Sequence, residues 1–528
     1  METPEFSRAA VAAPHLAAAR AGKAILAEGG NAIEAMLAMA AAIAVVYPHM
    51  NSIGGDAFWL VREPGGRVRY IEACGFAGAR ATIGFYREQG HRYIPRRGPL
   101  AALTVPGAVG GWALAHELAQ ACGGRLPLST LLHEAVALAR GGYMQSASEA
   151  RYSHREREAL VAAPGFAETF LVDGKIPTQG TLRRAERLGA TLAHLAEAGL
   201  DDFYRGDVGR EIAADLARIG APLAREDLAR YRAVMRAPLS LQLPGRTLYN
   251  APPPTAGLAS LVTLGLFERL GVGRPESFDH MHGLVEASKR ALAIRNNVCV
   301  DFDHVREDVA GYLAPKFLAG AAGAIDMKRA APWPLPPGDG DTVWMGAIDA
   351  SGFAVSYIQS IFWEYGSGCV LPATGALLQN RGVSFSLDPA SVNALAPGKR
   401  PMHTLNPPLC VFDDGRVLSY GSMGGDGQPQ FQAQVLTRFL FGAGLADAID
   451  APRFRYDKTW KATSATLKME NRFEPSLVAR MKAAGHGVEM SAAPYEDSFG
   501  HAGGVIRHVD RHVEAAHDPR SDGGAEGL

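Results

Sequence analysis

Residues 338–352 of this 528-residue chain, GDGDTVWMGAIDASG, join a flexible Gly-Asp-Gly-Asp tether to an apolar run. The apolar run, Thr342 to Ile348, predicts a β-strand, and Asp349 to Gly352 predict a hairpin turn after it. Phe353 to Ile361 predict the second strand of the hairpin. A threonine that opens a strand directly after such a tether becomes a new amino terminus if the bond between Asp341 and Thr342 is cut.

A terminal threonine carries two reactive groups, because its hydroxyl attacks and its own α-amine accepts the proton. An α-amine has a pKa of about 7.7–8.0, close to the pH at which enzymes work, and this suits a general base. The residues alone leave a second interpretation open, in which Thr342 is an ordinary strand residue after a linker.

Outward from this hairpin, the sequence predicts an α+β fold, rich in helices before the linker at 332–341 and rich in strands after it. Asn31 is a good N-cap for a helix over 32–46. Hydrophobic periodicity predicts further helices over 16–26, 110–121, 130–140, 206–218, 256–270, 277–296 and 429–441. Alternation predicts strands over 58–61, 68–71, 409–412, 417–419, 504–508 and 512–516. We expect the two parts to form one interlocked unit.

Composition excludes several classes of protein. Lys and Arg number 53 and Asp and Glu 54, so no bulk charge favours nucleic acid or a membrane surface as a partner. The five cysteines contain no CxxC pair. The apolar run from Ala35 to Pro48 is too short to cross a bilayer, and the first residues lack the pattern of a signal peptide. We therefore expect a cytoplasmic protein.

Few common catalytic motifs are present, and HExxH, Walker A and GxSxG are all missing from the sequence. His280 and His282 are two apart in a predicted helix and do not share a face, so we expect solvated or capping histidines, no metal and no cofactor. Residues 421–427, GSMGGDG, lie between a predicted strand and a predicted helix. Such a loop can offer adjacent N–H groups to an oxyanion, and a plain glycine turn is the alternative.

Ordered landmarks along nearly the whole chain carry a family resemblance. They are LAEGGNA at 26–32, SIGGD at 52–56, TVPG at 104–107, FYRG at 203–206, PPTAG at 253–257, Thr342 with its turn, PGKRP at 397–401, GSMGG at 421–425 and DPR at 518–520. With these landmarks, the sequence resembles the γ-glutamyltranspeptidase family of N-terminal nucleophile hydrolases. The resemblance implies a four-layer αββα sandwich and a proenzyme that cuts itself into a large subunit, 1–341, and a small subunit, 342–528.

The resemblance also implies roles for individual residues. Thr342 is then the nucleophile, Gly424 and Gly425 supply the oxyanion N–H groups, and Ser360 stands where the family commonly has a second threonine. The two subunits are expected to stay associated as a heterodimer, and pairing of two heterodimers is left open.

The positions that hold a γ-glutamyl group in this family do not match. Cys74 falls where the family has an arginine for the substrate carboxylate, and Phe362 and Ser384 fall where it has groups for the ammonium. His403 and Thr404 replace its twin serines. Burying either substrate charge without a partner costs several kcal/mol. A γ-glutamyl substrate is therefore expected to bind poorly.

The replacements suggest a smaller ligand. Arg381, with His403 and Thr404 as further donors, suits a small carboxylate close to the nucleophile, and Phe362 fills the vacated space. Within the superfamily, the oxamate amidohydrolases of purine breakdown act on such a compound, and hydrolysis of oxamate is our first expectation. The alternatives are a γ-glutamyltransferase or glutathione hydrolase, an acylase for a bulkier amide, and an inactive homologue that only binds. For Arg381 itself, a surface or structural role is the alternative.

Overall fold

The computed structural model describes residues 3–332, 341–458 and 465–528. Its strands are β1 Glu5–Phe6, β2 Ala10–Ala13, β3 Asp56–Arg62, β4 Val68–Ala73, β5 Tyr143–Met144, β6 Leu182–Arg183, β7 Val234–Arg236, β8 Leu239–Leu243, β9 Arg246–Asn250, β10 Asp341–Ile348, β11 Ala354–Phe362, β12 Leu409–Phe412, β13 Val417–Ser422, β14 Phe454–Lys458, β15 Ala465–Met469, β16 Val488–Met490, β17 Ala502–Arg507, β18 Val513–His517 and β19 Gly524–Gly527.

The helices are α1 Leu16–Ala27, α2 Ala32–Val46, α3 Ile83–Glu88, α4 Ala108–Ala121, α5 Leu128–Leu131, α6 His133–Gly141, α7 Ala147–Leu160, α8 Phe166–Phe170, α9 Glu186–Ala198, α10 Asp202–Arg205, α11 Asp207–Ile219, α12 Arg225–Arg230, α13 Gly257–Arg269, α14 Phe278–Val298, α15 Pro315–Gly323, α16 Gln428–Leu440, α17 Leu445–Asp450 and α18 Pro475–Ala483. None of the described helices is long and apolar enough to span a membrane.

Two seven-stranded sheets form the centre of the molecule. One has the order β1-β18-β17-β13-β12-β9-β8, and the other has the order β19-β2-β10-β11-β3-β4-β7. Side chains of both sheets, among them Phe58, Trp344 and Leu409, pack together in one buried layer between them. The outer faces are covered by helices, α1, α2 and α4 on one side and α13, α14 and α16 on the other. The expected αββα sandwich is confirmed.

The position of helix α2 in the fold explains why its sequence is apolar on every side. All fifteen of its residues are buried, because it lies between the sheet and the outer helices. Its N-cap, Asn31, forms a capping box with Glu34, as the residue type predicts. The predicted helices and strands outside the linker are likewise present, with ends that differ by a few residues.

The division into a helix-rich first part and a strand-rich second part is incomplete. Half of the strands in the two large sheets precede the linker. β2 has the sequence AVAA and is buried on both faces, so it shows no alternation by which to recognise it. The hairpin of β8 and β9 was also missed. Most of the linker, residues 333–340, lies outside the described ranges.

The hairpin of β10 and β11 lies inside its sheet and is fixed to helix α2. β10 pairs with β2 on its other side, and β11 pairs with β3. In the turn, Asp349 Oδ1 accepts hydrogen bonds from the N–H groups of Gly352 and Phe353. Asp349 Oδ2 accepts one of 2.7 Å from the N–H of Ala32, the first residue of α2. A carboxylate is favourable at a helix N-terminus, so this contact fixes the hairpin against the core.

Candidate active site

Thr342 lies at an irregularity in the pairing of β10 with β11. Asp341 pairs with Phe362 and Val343 pairs with Gln359, so the register shifts across Thr342. Two residues of β11, Ser360 and Ile361, lie opposite Thr342, so the extra residue of this bulge belongs to β11. Thr342 is fully buried, and its Oγ1 accepts a hydrogen bond of 3.3 Å from Nε2 of Gln428.

Ser360 belongs to the bulged stretch of β11, opposite Thr342. On the other side of β11, Ser360 pairs with Asp56 of β3. Its Oγ accepts a hydrogen bond of 2.8 Å from the N–H of Phe362. The Ser360 hydroxyl is therefore buried and oriented by the backbone, and its role beside Thr342 stays a prediction.

The glycine loop between β13 and α16 has a backbone that other residues rarely adopt. Gly424 has a φ of 119° and Gly425 a φ of 51°. A β-carbon on Gly424 would lie 2.7 Å from the ring of Phe431. In the described part of the chain, the N–H of neither glycine donates to a backbone carbonyl outside the regular elements. The backbone at this turn therefore favours glycine, and the oxyanion role of the two N–H groups stays a prediction.

A buried ion pair stabilises the glycine loop between β13 and α16. Asp426, the residue after the two glycines, is buried and pairs with Arg295 of α14. The N–H of Gly427 closes the turn by donating to the carbonyl of Gly424 at 2.8 Å. α16 then begins at Gln428, so the turn determines both the direction of the glycine N–H groups and the position of Gln428.

Arg381 is buried, which contradicts the interpretation as a surface arginine. Its guanidinium carbon lies 3.9 Å from the ring centroid of Phe362. Nη1 and Nη2 have no hydrogen-bond partner among the described residues. Burial lowers the pKa of Arg381 to about 9, against the opposing effect of the Asp56 carboxylate. It remains a cation at neutral pH, with two unused nitrogen donors.

His403 and Thr404 lie on the segment that leads to β12, and both are buried. Within the described chain, Thr404 Oγ1 and the two ring nitrogens of His403 have no hydrogen-bond partner. Burial, followed by the positive charges of Arg381 and Arg400, holds the pKa of His403 well below its usual value. The ring is therefore neutral and offers one N–H donor and one acceptor.

Asp56 joins this group, and the sequence reasoning missed it. Its Oδ1 accepts hydrogen bonds of 3.0 Å from the N–H groups of Gly75 and Gly107. Its Oδ2 has no such bond in the described structure and lies 3.6 Å from Nε2 of His403. Burial raises the pKa of Asp56 to about 7. Its place at the end of the landmark SIGGD, just before an apolar strand, was the available signal.

Buried polar atoms are nearly always hydrogen-bonded, so a group of unpaired ones is informative. Here they belong to Asp56, Arg381 and His403, which interact electrostatically, and to Thr404, which follows His403 in the chain. Together they offer several donors, a cation and a carboxyl oxygen. The chemistry of these groups favours a small, polar, anionic ligand.

Comparison with known proteins agrees with this geometry. The sequence profile of the γ-glutamyltranspeptidase family matches residues 18–528. The chain belongs to the γ-glutamyltranspeptidase family.

The chain is similar along nearly its whole length to two relatives and one solved structure. The chain is 48% identical over 517 residues to the oxamate amidohydrolase proenzyme of Klebsiella pneumoniae, covering 98% of this chain and 97% of the relative. It is 36% identical to a glutathione hydrolase-like proenzyme of Bacillus subtilis, covering 98% of each. The crystal structure of cephalosporin acylase from Bacillus halodurans has a TM-score of 0.91 at 31% identity, covering 100% of this chain and 97% of the acylase. The expected class, an amidohydrolase with the N-terminal nucleophile fold, is confirmed.

In this member of the γ-glutamyltranspeptidase family, Cys74 and Ser384 lie beside the group described above. Cys74 is buried, and burial together with the Glu72 and Asp56 carboxylates raises the pKa of its thiol well above the usual value. A neutral thiol cannot replace an arginine. Ser384 ends the short 3-10 turn that begins at Arg381.

The expectation of solvated histidines was wrong, because His280 and His282 are both buried in α14. His280 does act at the helix start, since its Nδ1 accepts a hydrogen bond of 3.1 Å from the N–H of Glu276. Nδ1 of His282 lies 2.8 Å from Nε2 of His486, and Glu286 pairs with Lys289 at 2.7 Å. His282, Glu286 and His486 could converge on a metal, as could His508, His512 and Glu514, but neither set includes a residue of the Thr342 site.

Proposed function

We propose that this chain is a self-processing amidohydrolase that uses Thr342 to hydrolyse oxamate to oxalate and ammonia. One observation carries the proposal: Arg381 presents two unpaired guanidinium nitrogens in the interior, on the ring of Phe362, and Phe362 pairs with the residue just before Thr342. A carboxylate bound by that fork would have its neighbouring carbon within a short reach of the nucleophile.

Self-processing comes first in this scheme. The hydroxyl of Thr342 attacks the carbonyl carbon of Asp341, the peptide C–N bond breaks, and an ester forms in its place. Water then hydrolyses the ester. The products are a large subunit, 1–341, and a small subunit, 342–528, which begins with a free α-amine. We expect them to remain together as a heterodimer.

Turnover repeats the same chemistry on the substrate. The α-amine of Thr342 takes the hydroxyl proton while the oxygen attacks the amide carbon of oxamate. The N–H groups of Gly424 and Gly425 stabilise the oxyanion of the tetrahedral intermediate. Ammonia leaves with the transferred proton, and water hydrolyses the remaining oxalyl ester to oxalate. Ser360 holds its hydroxyl beside the reacting threonine.

Recognition depends on the charge and size of the substrate. Arg381 binds the oxamate carboxylate with both nitrogens, and His403 and Thr404 donate further hydrogen bonds. Phe362 lies under the guanidinium, and we expect its ring to exclude a longer acyl group. The name of the relative from Klebsiella pneumoniae supports this choice over a γ-glutamyl substrate. So does the neutral thiol of Cys74 where the family has an arginine.

The test compares the native protein with Thr342→Ala and Thr342→Ser. We expect native protein to give two bands on a denaturing gel, divided near residue 341, and to release ammonia from oxamate. Thr342→Ala should stay as one band and release none, whereas Thr342→Ser should retain part of both activities because it keeps a hydroxyl. A full-length native band would refute self-processing. Equal turnover of γ-glutamyl-p-nitroanilide and oxamate would refute the proposal that oxamate is the substrate.

A further inference from the structure

We propose that Gln428 is a catalytic residue that forces the oxygen of Thr342 to accept a hydrogen bond, and that Asn406 and Asn250 are positioning residues that fix the direction of its amide. The inference rests on the proposed role of Thr342 as the nucleophile. The four side chains are fully buried and form one continuous chain of hydrogen bonds.

A backbone N–H, which can only donate, fixes which atom donates and which accepts in each of these hydrogen bonds. The N–H of Ala251 donates to Oδ1 of Asn250 at 2.8 Å, so the other end of that amide, Nδ2, is the donor. Asn250 Nδ2 lies 3.2 Å from Oδ1 of Asn406, which therefore accepts. An amide whose oxygen accepts must donate through its nitrogen.

The same donor and acceptor rules apply to the next two hydrogen bonds, which reach Thr342 through Gln428. Asn406 Nδ2 donates to the carbonyl of Thr404 at 3.1 Å and to Oε1 of Gln428 at 3.3 Å. The nitrogen of Gln428 is then the atom that faces Thr342, at 3.3 Å from Oγ1. A flipped Gln428 would place its Nε2 against Nδ2 of Asn406, two donors with no acceptor between them, so only one direction satisfies both amides.

This arrangement has two chemical consequences. Because the oxygen of Thr342 accepts, its hydrogen points away from Gln428 and is free to be transferred to the base. A donor on that oxygen also stabilises the negative charge that develops as the proton leaves. The contact from Asn406 to the carbonyl of Thr404 ties the nucleophile to the segment that carries His403 and Thr404.

Three variants test the inference, with Gln434→Glu as the matched control. Gln428→Met removes the donor at similar length, and Gln428→Glu keeps the shape but reverses the bond when ionised. Asn406→Asp removes the donor that orients Gln428. Gln434 is a buried glutamine on the same helix, and it contacts the backbone of Phe454 and Gln430 rather than Thr342. The control reports what a buried glutamate in α16 does to folding.

Self-cleavage of the 528-residue precursor, made by cell-free translation, is followed on gels, and kcat and KM for oxamate are measured on processed enzyme. We expect Gln428→Met to slow cleavage and lower kcat by roughly tenfold to a hundredfold, at unchanged KM. Gln428→Glu should be slower still at pH 8. Asn406→Asp should lie between native protein and Gln428→Met. Gln434→Glu should lower the melting temperature without changing kcat.

The pH dependence separates catalysis from packing. A protonated carboxyl at position 428 donates again, so the activity of Gln428→Glu relative to native should rise as the pH falls from 8 to 6. The charged pair nearest along the chain, Asp426 with Arg295, is present in native protein and variant alike. A role in packing alone predicts that the isosteric Gln428→Glu exceeds Gln428→Met at every pH.

Variants of Gln428 that cleave and turn over within twofold of native protein would overturn the inference. If they do not fold, unchanged cleavage by Asn406→Asp overturns it instead. Failure of the proposed function looks different. If native protein cleaves itself but does not hydrolyse oxamate, the proposed substrate is wrong. The role of Gln428 can then still be tested by the rate of self-cleavage. Cleavage by Thr342→Ala refutes the nucleophile, and with it this inference.

Discussion

Oδ2 of Asp56 and Nε2 of His403 face each other at 3.6 Å in the interior of the protein. The two groups respond to burial in opposite ways. Burial raises the pKa of Asp56 to about 7 and holds the pKa of His403 far below its usual value. His403 is therefore neutral throughout the physiological range, and Asp56 is the group that changes charge within it.

This pair predicts a pH-dependent KM for oxamate. Below pH 7 Asp56 is protonated, so it can donate to the substrate carboxylate; above pH 7 it is ionised and repels that carboxylate. We expect KM to rise by about tenfold between pH 6 and pH 8, on the scale of one charge interaction in the interior. Steady-state kinetics over this range measure it. Asp56→Asn should remove the slope, and a variant that keeps the native slope would assign the titration to another group.

The stacking of Arg381 on Phe362 leads to a prediction that separates activity from stability. Arg381→Met removes the charge-assisted bonds to the substrate, so kcat/KM for oxamate should fall by about 10- to 150-fold, equivalent to about 1.5–3 kcal/mol. A buried charge whose nitrogens lack hydrogen-bond partners costs stability, and an apolar side chain of similar length removes that cost. The melting temperature should therefore not fall.

A neutral substrate provides the control for Arg381. Oxamide has the same size but carries a second amide in place of the carboxylate. Its kcat/KM should change less than threefold in Arg381→Met. Equal losses for oxamate and oxamide would mean that Arg381 organises the site without binding the carboxylate.

Gly424 offers a test of the glycine loop. Gly424→Ala forces a side chain into a φ of 119° and against the ring of Phe431 at 2.7 Å, so the loop must shift. We expect kcat to fall by about a hundredfold or more, the usual effect of losing an oxyanion donor. Gly442→Ala is the matched control, because Gly442 also has a positive φ, 95°, but open space around it. If both variants lose only stability, the loop does not bind the oxyanion.

The sequence predicted the elements of this site better than the contacts between them. Local patterns were sufficient for the β10–β11 hairpin, for the N-cap at Asn31 and for the glycines at 424 and 425, because turn residues, caps and periodicity act over a few positions. The strand Ala10–Ala13 was not predicted, because a strand buried on both faces has no alternation of apolar and polar residues.

Long-range packing determines the rest. Asp56 meets His403, and Gln428 meets Thr342, because two sheets stack. Asn250 comes near Asn406 because β9 pairs with β12. No spacing along the chain encodes these contacts. Whether Arg381 was a surface residue also stayed open, since a single arginine in a loop has no periodicity to show which way it points. Its burial and its unpaired nitrogens are properties of the folded chain.

The interleaving of strands predicts that processed protein does not separate into its parts. β10 lies between β2 and β11, and β11 pairs with β3, so strands from either side of Thr342 alternate within one sheet. The other sheet repeats this, since β12 pairs with β9. Removing 342–528 would break these ladders and expose the shared core, as in an obligate complex. Processed protein should therefore elute in size-exclusion chromatography at the volume of the uncleaved Thr342→Ala precursor, and should split into two peaks only in denaturant. Elution of a free small fragment from native protein would show that the two segments are not held together by these strands.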